Sequence, residues 1–281
     1  MISNLRYFVE KEKLLKKYID FFKDEEFCKD IINEAIFGFS EIKNCLEKKE
    51  IQSILEIGSG TGVLLNELKT HYPQIKMTGL EPFQSGHEKF RRIFENIKNN
   101  KLNIVNKGIE EFDTNEKFDL IFSINVLEHV KDYEKYIEKT CEFLNNNGTN
   151  IVLCPNYDFP YESHYIIPII INKKITKFFF ERYIKKYETK NGMKNHWDGL
   201  NFISKKKLTY FLKKNSYNFC FDFAIKDRIL SRILYDKALK RRQGFVGLLA
   251  IILKVLFLDK LLFNLLKIPF PYLKLTINNK S

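Results

Sequence analysis

Three glycines at alternate positions, Gly58, Gly60 and Gly62, follow Glu56, with Ser59 between the first two, and lead into the apolar run Val63-Leu64-Leu65. Glycine tolerates positive φ and lets a ligand approach the backbone closely. A loop that feeds a helix N-terminus also aims unpaired N–H groups at its ligand, which favours a carboxylate or phosphate. A dinucleotide fingerprint needs its third glycine three places after the second, and Val63 stands there instead, which counts against a nicotinamide enzyme. Glu81 lies 19 residues after Gly62, an interval at which nucleotide folds place a carboxylate on ribose hydroxyls. His129, His164 and His196 are candidate general bases, for which imidazole is the commonest side chain.

The surrounding pattern supplies elements to hold these residues. Ile51 to Ile57 reads as a buried strand, and the helix from Val63 stops near Tyr72, before Pro73. Residues 75–81 read as a second strand, 85–98 as a helix and Leu102 to Asn106 as a third strand. Phe118 to Ile124 is a central buried strand that breaks into polar residues, and open α/β sheets bind ligands beyond such strand ends. Asp132 is placed to cap a helix over 133–146, and Asn150 to Cys154 forms the fifth strand. Ser204 caps a helix over 205–214, and Tyr217 to Phe223 alternates as a sixth strand. Residues 5–49 read as two or more helices, with apolar positions at helical spacing.

The segment Glu56-Ile57-Gly58-Ser59-Gly60-Thr61-Gly62 resembles motif I of the class I S-adenosylmethionine-dependent methyltransferases. Ser123-Ile124-Asn125-Val126-Leu127-Glu128-His129 is similar to the strand-four motif of quinone-type small-molecule O-methyltransferases. The resemblance implies S-adenosylmethionine as cofactor, with Glu56, Gly58, Ser59, Gly60, Gly62, Glu81 and Pro82 around it. It also implies that Ile109 packs on the adenine and Glu110 reaches its amino nitrogen, with Ile124 and Asn125 flanking the cofactor. Asn195 to Ser204 resembles a family segment whose histidine, here His196, borders the substrate pocket. The family further implies one more strand, antiparallel, best placed at 272–277, and N-terminal helices that form a lid. Pro155-Asn156-Tyr157 follows strand five, so it is not the strand-four signature of amino-group methylation on DNA or protein, which argues against nucleic acid as a partner.

Composition narrows the class further. At 281 residues, with 44% hydrophobic and 15% aromatic, the chain can bury a substantial core. Five scattered cysteines without a C-x-x-C pair argue for reduced thiols and against a zinc site or disulfide framework, so no metal is expected. The N-terminus lacks the continuous apolar core of a signal peptide, which points to the cytoplasm. The net charge of +12 is divided unevenly: residues 1–171 hold 22 basic and 28 acidic side chains, and 172–281 hold 25 and 7. Within the basic part, Lys237, Lys240, Arg241 and Arg242 precede a run of about ten apolar residues, too short to cross a bilayer. That combination fits an in-plane contact with an anionic membrane, and equally a greasy substrate channel, a dimer face or a buried core helix.

The expected architecture is α/β: a Rossmann-like, seven-stranded, mostly parallel sheet with helices on both faces. An N-terminal helical lid (1–50) precedes the cofactor-binding core (51–225), which carries an insertion near the substrate pocket (158–203). A basic, apolar helical extension (226–281) completes the chain. The expected activity is methyl transfer from S-adenosylmethionine to an oxygen of a small-molecule, glycan or lipid-linked acceptor, with His129, His164 and His196 as catalytic candidates. The alternatives are a quinone-type lipid O-methyltransferase at the inner membrane face and a non-catalytic cofactor-binding scaffold.

Overall fold

A computed structural model describes residues 4–48, 50–83, 88–97, 102–193 and 195–279. In chain order it contains α1 (Asn4–Tyr18), α2 (Glu25–Lys48), β1 (Ser53–Ile57), α3 (Val63–His71), β2 (Lys76–Leu80), α4 (Glu88–Ile97), β3 (Asn103–Val105) and β4 (Phe118–Ile124). α5 (Tyr133–Glu142), β5 (Leu144–Pro155), β6 (Tyr161–Glu162), β7 (Ile167–Pro168), α6 (Lys173–Asn191) and α7 (His196–Gly199) follow. The remainder is α8 (Lys205–Lys214), β8 (Asn218–Phe221), α9 (Ile225–Tyr235), α10 (Lys237–Val255), a π-helical turn (Lys260–Leu265) and β9 (Tyr272–Asn278). Seven strands form one sheet in the order β3-β2-β1-β4-β5-β9-β8, the mostly parallel Rossmann-like arrangement expected. The last strand of the chain falls at 272–278, beside β5, at the position foreseen for it.

The chain divides into two compact units: Met1–Ile124, Lys135–Val152 and Thr276–Ser281 form the first, Asn125–Glu134 and Leu153–Leu275 the second. In the first unit β1 lies parallel to both β2 and β4, with Glu56 opposite Gly79 and Leu55 opposite Ile121. Ile54, Leu55, Leu80, Leu120, Ile121 and Phe122 are buried, as befits parallel strands covered on both faces. The N-terminal helices are tied to this sheet unit. Tyr18 hydrogen-bonds with Glu67 and Asn66 on α3, and Lys17 pairs with Glu67 at 2.7 Å. On α2, a Cβ added at Gly38 would stand 2.5 Å from Ile124 Cδ1 and 2.8 Å from Leu64 Cδ2, so glycine lets this helix pass close to both.

The helix expected over 133–146 ends at Glu142, and the fifth strand begins at Leu144, six residues before the expected Asn150. The run Asn145-Asn146-Asn147-Gly148 has the composition of a turn, yet tertiary bonds hold it in the sheet. Asn145 Nδ2 donates to Asp119 Oδ1 at 2.7 Å, and Asn279 N–H donates to Gly148 O at 3.0 Å. Of the helix expected over 85–98, α4 covers 88–97, and 85–87 and 98 lie outside the described residues.

The second unit has a core of its own around Tyr165, Ile167, Ile184, Trp197, Leu200 and Phe202. This explains how the long 158–203 segment is stabilised: it contains the β6–β7 hairpin and two helices, not a structureless loop. Further on, Asp236 caps α10 through the Ala238 and Leu239 N–H groups and pairs with Arg232 at 2.8 Å, both side chains being buried. Among the described residues no helix is long and apolar enough to cross a membrane.

Candidate active site

The glycine turn is folded by the end of β2. Gly58 N–H and Ser59 N–H both donate to Leu80 O, at 2.8 and 2.9 Å. Gly58, Gly60 and Gly62 have φ of 75°, 53° and 77°, the left-handed region in which a side chain is strained. No heavy atom lies within 4 Å of a Cβ built on Gly60, so the turn is open there, and its N–H donates to Glu81 Oε2 at 2.8 Å. Glu81 and Glu56 are both buried. Glu56 Oε2 has no hydrogen-bond partner, and burial pushes the carboxyl up to about 8, against the bond from Ser59 and helped by the Glu81 charge. Pro82 is half-buried directly after Glu81.

Gly79 has no chemistry of its own to mark it in the sequence, yet it lets the glycine turn lie against β2. A Cβ there would run into Ser59 Oγ and stand 2.9 Å from Ile104 Cγ1, so a side chain on β2 would push the turn off the strand. Glycine inside a strand is the signal that announces such an approach. Ile109 is buried within a turn in which the Glu111 and Phe112 N–H groups reach Gly108 O, and Glu110 is exposed. Ile124, the last residue of β4, is half-buried.

The second unit opens at Asn125, held at φ 55°. Its N–H donates to Leu153 O at 2.8 Å, and its Oδ1 accepts from Tyr272 Oη at 2.8 Å. Asparagine is among the few side chains that enter this left-handed region readily. The chain then makes a 3₁₀ turn over Leu127–His129. Asn201 clamps this turn: its Nδ2 donates to Leu127 O at 2.6 Å and Val130 O at 3.0 Å, and its N–H donates to Glu128 O at 2.9 Å.

His129, His164 and His196, treated in the sequence as separate candidates, meet in one cluster. Their ring centroids form a nearly equilateral triangle with sides of 5.1, 5.2 and 5.3 Å. His164 sits in the β6–β7 turn and donates from Nδ1 to Glu162 Oε1 at 2.6 Å. Glu162 is fully buried and also accepts from Tyr157 Oη at 3.1 Å and from Tyr165 N–H at 2.8 Å. Burial alone would raise this carboxyl; the bonds from His164 and Tyr165 outweigh it and hold Glu162 below its ordinary value. Tyr165 Oη donates to Glu188 Oε1 at 2.8 Å and lies 3.1 Å from His196 Nδ1. The single hydroxyl proton goes to the carboxylate, so His196 Nδ1 is the donor to Tyr165 Oη. Glu128 Oε1 lies 3.7 Å from His129 Nε2, and both Glu128 oxygens are buried without a hydrogen-bond partner. Asn201, Glu162, Tyr165 and Glu188 carried no sequence signal, because their importance comes from contacts made across the folded unit.

A parallel sheet with a glycine turn after β1 and an acid after β2 defines a nucleoside-cofactor-binding Rossmann-like protein. A family profile described as a methyltransferase domain matches residues 22–217, well over half of the chain, which therefore belongs to that family. That family is the class I S-adenosylmethionine-dependent methyltransferases, as the motif I resemblance implied. The chain is 30% identical over 196 residues to an uncharacterized protein of Mycobacterium tuberculosis, covering 68% of this chain and 66% of that protein. It is 26% identical over 136 residues to pavine N-methyltransferase of Thalictrum flavum subsp. glaucum (48% of this chain, 38% of that one). It is also 26% identical over 137 residues to ubiquinone biosynthesis O-methyltransferase of Rickettsia conorii (49% and 44%). The chain thus spans about two thirds of the first relative's length and under half of the other two. In fold it resembles the plantazolicin methyltransferase BpumL, crystallised with a pentazolic desmethylPZN analog and SAH, at TM-score 0.50 and 15% identity, over 100% of this chain and 95% of that one.

Proposed function

We propose that the chain methylates an oxygen of a small-molecule, glycan or lipid-linked acceptor. The observation that carries the cofactor half of this reading is the pair of buried carboxylates at the glycine turn, one of them short of a partner. S-Adenosylmethionine carries an ammonium, a ribose diol and an adenine, and supplies a sulfonium methyl group that a nucleophile takes by direct displacement. Glu56 would receive the ammonium, for which a buried, unpaired carboxyl oxygen is the complement. Glu81 would accept the ribose hydroxyls, while Gly58, Ser59, Gly60 and Gly62 offer backbone room and N–H groups, and Pro82 shapes the strand end. Ile109 and Glu110 are assigned to the adenine, Ile124 and Asn125 to the face beside it. The His129, His164 and His196 cluster is assigned to the acceptor, whose hydroxyl needs a polar group to orient it and take its proton.

The acceptor atom is tested with methyl-labelled cofactor and a panel of phenols, sugars and amines. Label on oxygen supports the reading; label on amines alone would redirect it to nitrogen. Replacing any of the three histidines with alanine should abolish turnover and spare cofactor binding, and unchanged turnover would remove that histidine from the site.

A membrane-facing role for the extension rests on its exposed apolar row. Phe245 is 75% and Phe257 70% exposed, Val255 and Leu265 are also exposed, and Lys254, Lys260 and Lys267 lie among them. That composition suits an in-plane contact with an anionic bilayer, the acceptor then being lipid-linked. Co-sedimentation with anionic liposomes at low salt, weakened by Phe245→Asp with Phe257→Asp, is the expected result; no sedimentation would sink the membrane contact.

A further inference from the structure

The cysteine pattern gave no reason to expect a metal, but the histidine cluster has the form of a metal site. We propose that His129, His164 and His196 bind a zinc ion. The three residues each offer an imidazole nitrogen, and these atoms all lie within 4.8 Å of one another. Three imidazoles on one tetrahedral zinc, with Zn–N of about 2.0–2.1 Å, have nitrogens about 3.4 Å apart and ring centres about 5 Å apart. The observed ring centres are 5.1–5.3 Å apart, so small side-chain rotations bring the nitrogens onto a common ion.

Two of the rings are held from behind in the way zinc ligands are. His164 gives its Nδ1 proton to buried Glu162, and His196 gives its own to Tyr165, which is fixed in turn by Glu188. Each of these arrangements places the ring's lone pair on Nε2. Carboxylate–histidine pairs of this kind orient the ring and raise its basicity towards a metal. His129 reaches the cluster from the turn that Asn201 clamps.

A second, independent observation is Glu128. It is fully buried, 3.7 Å from His129 Nε2, with neither oxygen hydrogen-bonded. A buried carboxyl without partners is costly unless a cation or donor stands by it. Three imidazoles with a fourth position open form one of the ligand sets of catalytic zinc. His129 is 35% and His164 25% exposed, so three protein ligands leave a reachable fourth position for water or an acceptor oxygen. That use of the ion rests on the methyl-transfer reading above; its binding does not.

The test uses the full chain, stripped with chelator and titrated with Zn²⁺ by calorimetry, with S-adenosylhomocysteine titrated separately to report the cofactor site. The expected result is one zinc per chain. His129→Ala, His164→Ala and His196→Ala should each weaken binding roughly 100-fold or more, and Glu162→Gln by roughly 10–100-fold. His71→Asn, on α3 in the first unit, should leave binding unchanged. Replacing zinc with Co²⁺ should give the visible spectrum of a four-coordinate ion in wild type and lose it in the histidine variants. Failure of the stripped wild type to take up zinc, or a zinc affinity in all three histidine variants equal to that of wild type, would overturn the site. If S-adenosylhomocysteine binds in either case, the methyltransferase reading survives that failure.

Discussion

Replacing Glu56 should change both folding stability and cofactor binding, through one buried proton. Its carboxyl is buried and pushed up to about 8 from an ordinary 4.5, first by burial and then by Glu81, with Ser59 opposing. The folded chain therefore holds a proton that the unfolded chain has released over this whole range. Stability falls as pH rises from the unfolded value to the folded one, at about 1.4 kcal/mol per pH unit, and is flat above it. Integrated from 4.5 to 8, this amounts to about 5 kcal/mol lost by pH 8. Glu56→Gln keeps the shape and cannot ionise, so it should match wild type near pH 5 and exceed it at pH 8. Denaturant midpoints for both proteins between pH 5.5 and 8.5 read the difference directly. An ammonium placed at Glu56 adds a second consequence: ligand binding should release close to one proton below pH 8. Calorimetry in two buffers of unlike ionisation enthalpy counts that proton. Parallel stability profiles for wild type and Glu56→Gln, together with buffer-independent binding heats, would refute the reasoning.

Other substitutions address separate links. Gly79→Ala drives a methyl group against Ser59 and Ile104, which should cost about 1–3 kcal/mol and weaken S-adenosylhomocysteine binding, seen in paired melting and titration. Asn201→Ala removes two side-chain bonds from the turn that carries His129 and should cost about 1–3 kcal/mol, with lower turnover and unchanged cofactor affinity. Asp236→Ala leaves Arg232 buried without its carboxylate partner and removes the cap of α10, for about 3–5 kcal/mol in denaturant unfolding.

Strand-forming runs such as Ile51 to Ile57 and Phe118 to Ile124 announced the sheet because buried parallel strands are written as near-continuous apolar sequence, here interrupted by a few polar residues. Gly58, Gly60, Gly62 and Glu81 were legible for a related reason: close backbone approach and a strand-end acid leave a fixed local spacing. β5 begins earlier than expected because Asn145 to Gly148, a turn-forming composition, are held in the sheet by bonds from Asn145 Nδ2 to Asp119 Oδ1 and from Asn279 N–H to Gly148 O. The β6–β7 hairpin escaped notice, since strands of two residues are shorter than any alternation can reveal. His129, His164 and His196 each stood out alone. Their convergence depends on Glu162, Tyr165, Glu188 and Asn201, the last 74 positions from the Leu127 carbonyl it binds, and no local pattern encodes such a meeting.

The most direct test of the central claim is calorimetric titration of the full chain with S-adenosylhomocysteine, in parallel with NADH, on wild type and Glu81→Ala. The account predicts binding of the thioether nucleoside alone, at one per chain, weakened or lost when Glu81 is replaced. Binding of neither ligand, or binding of S-adenosylhomocysteine that Glu81→Ala leaves unchanged, would contradict it.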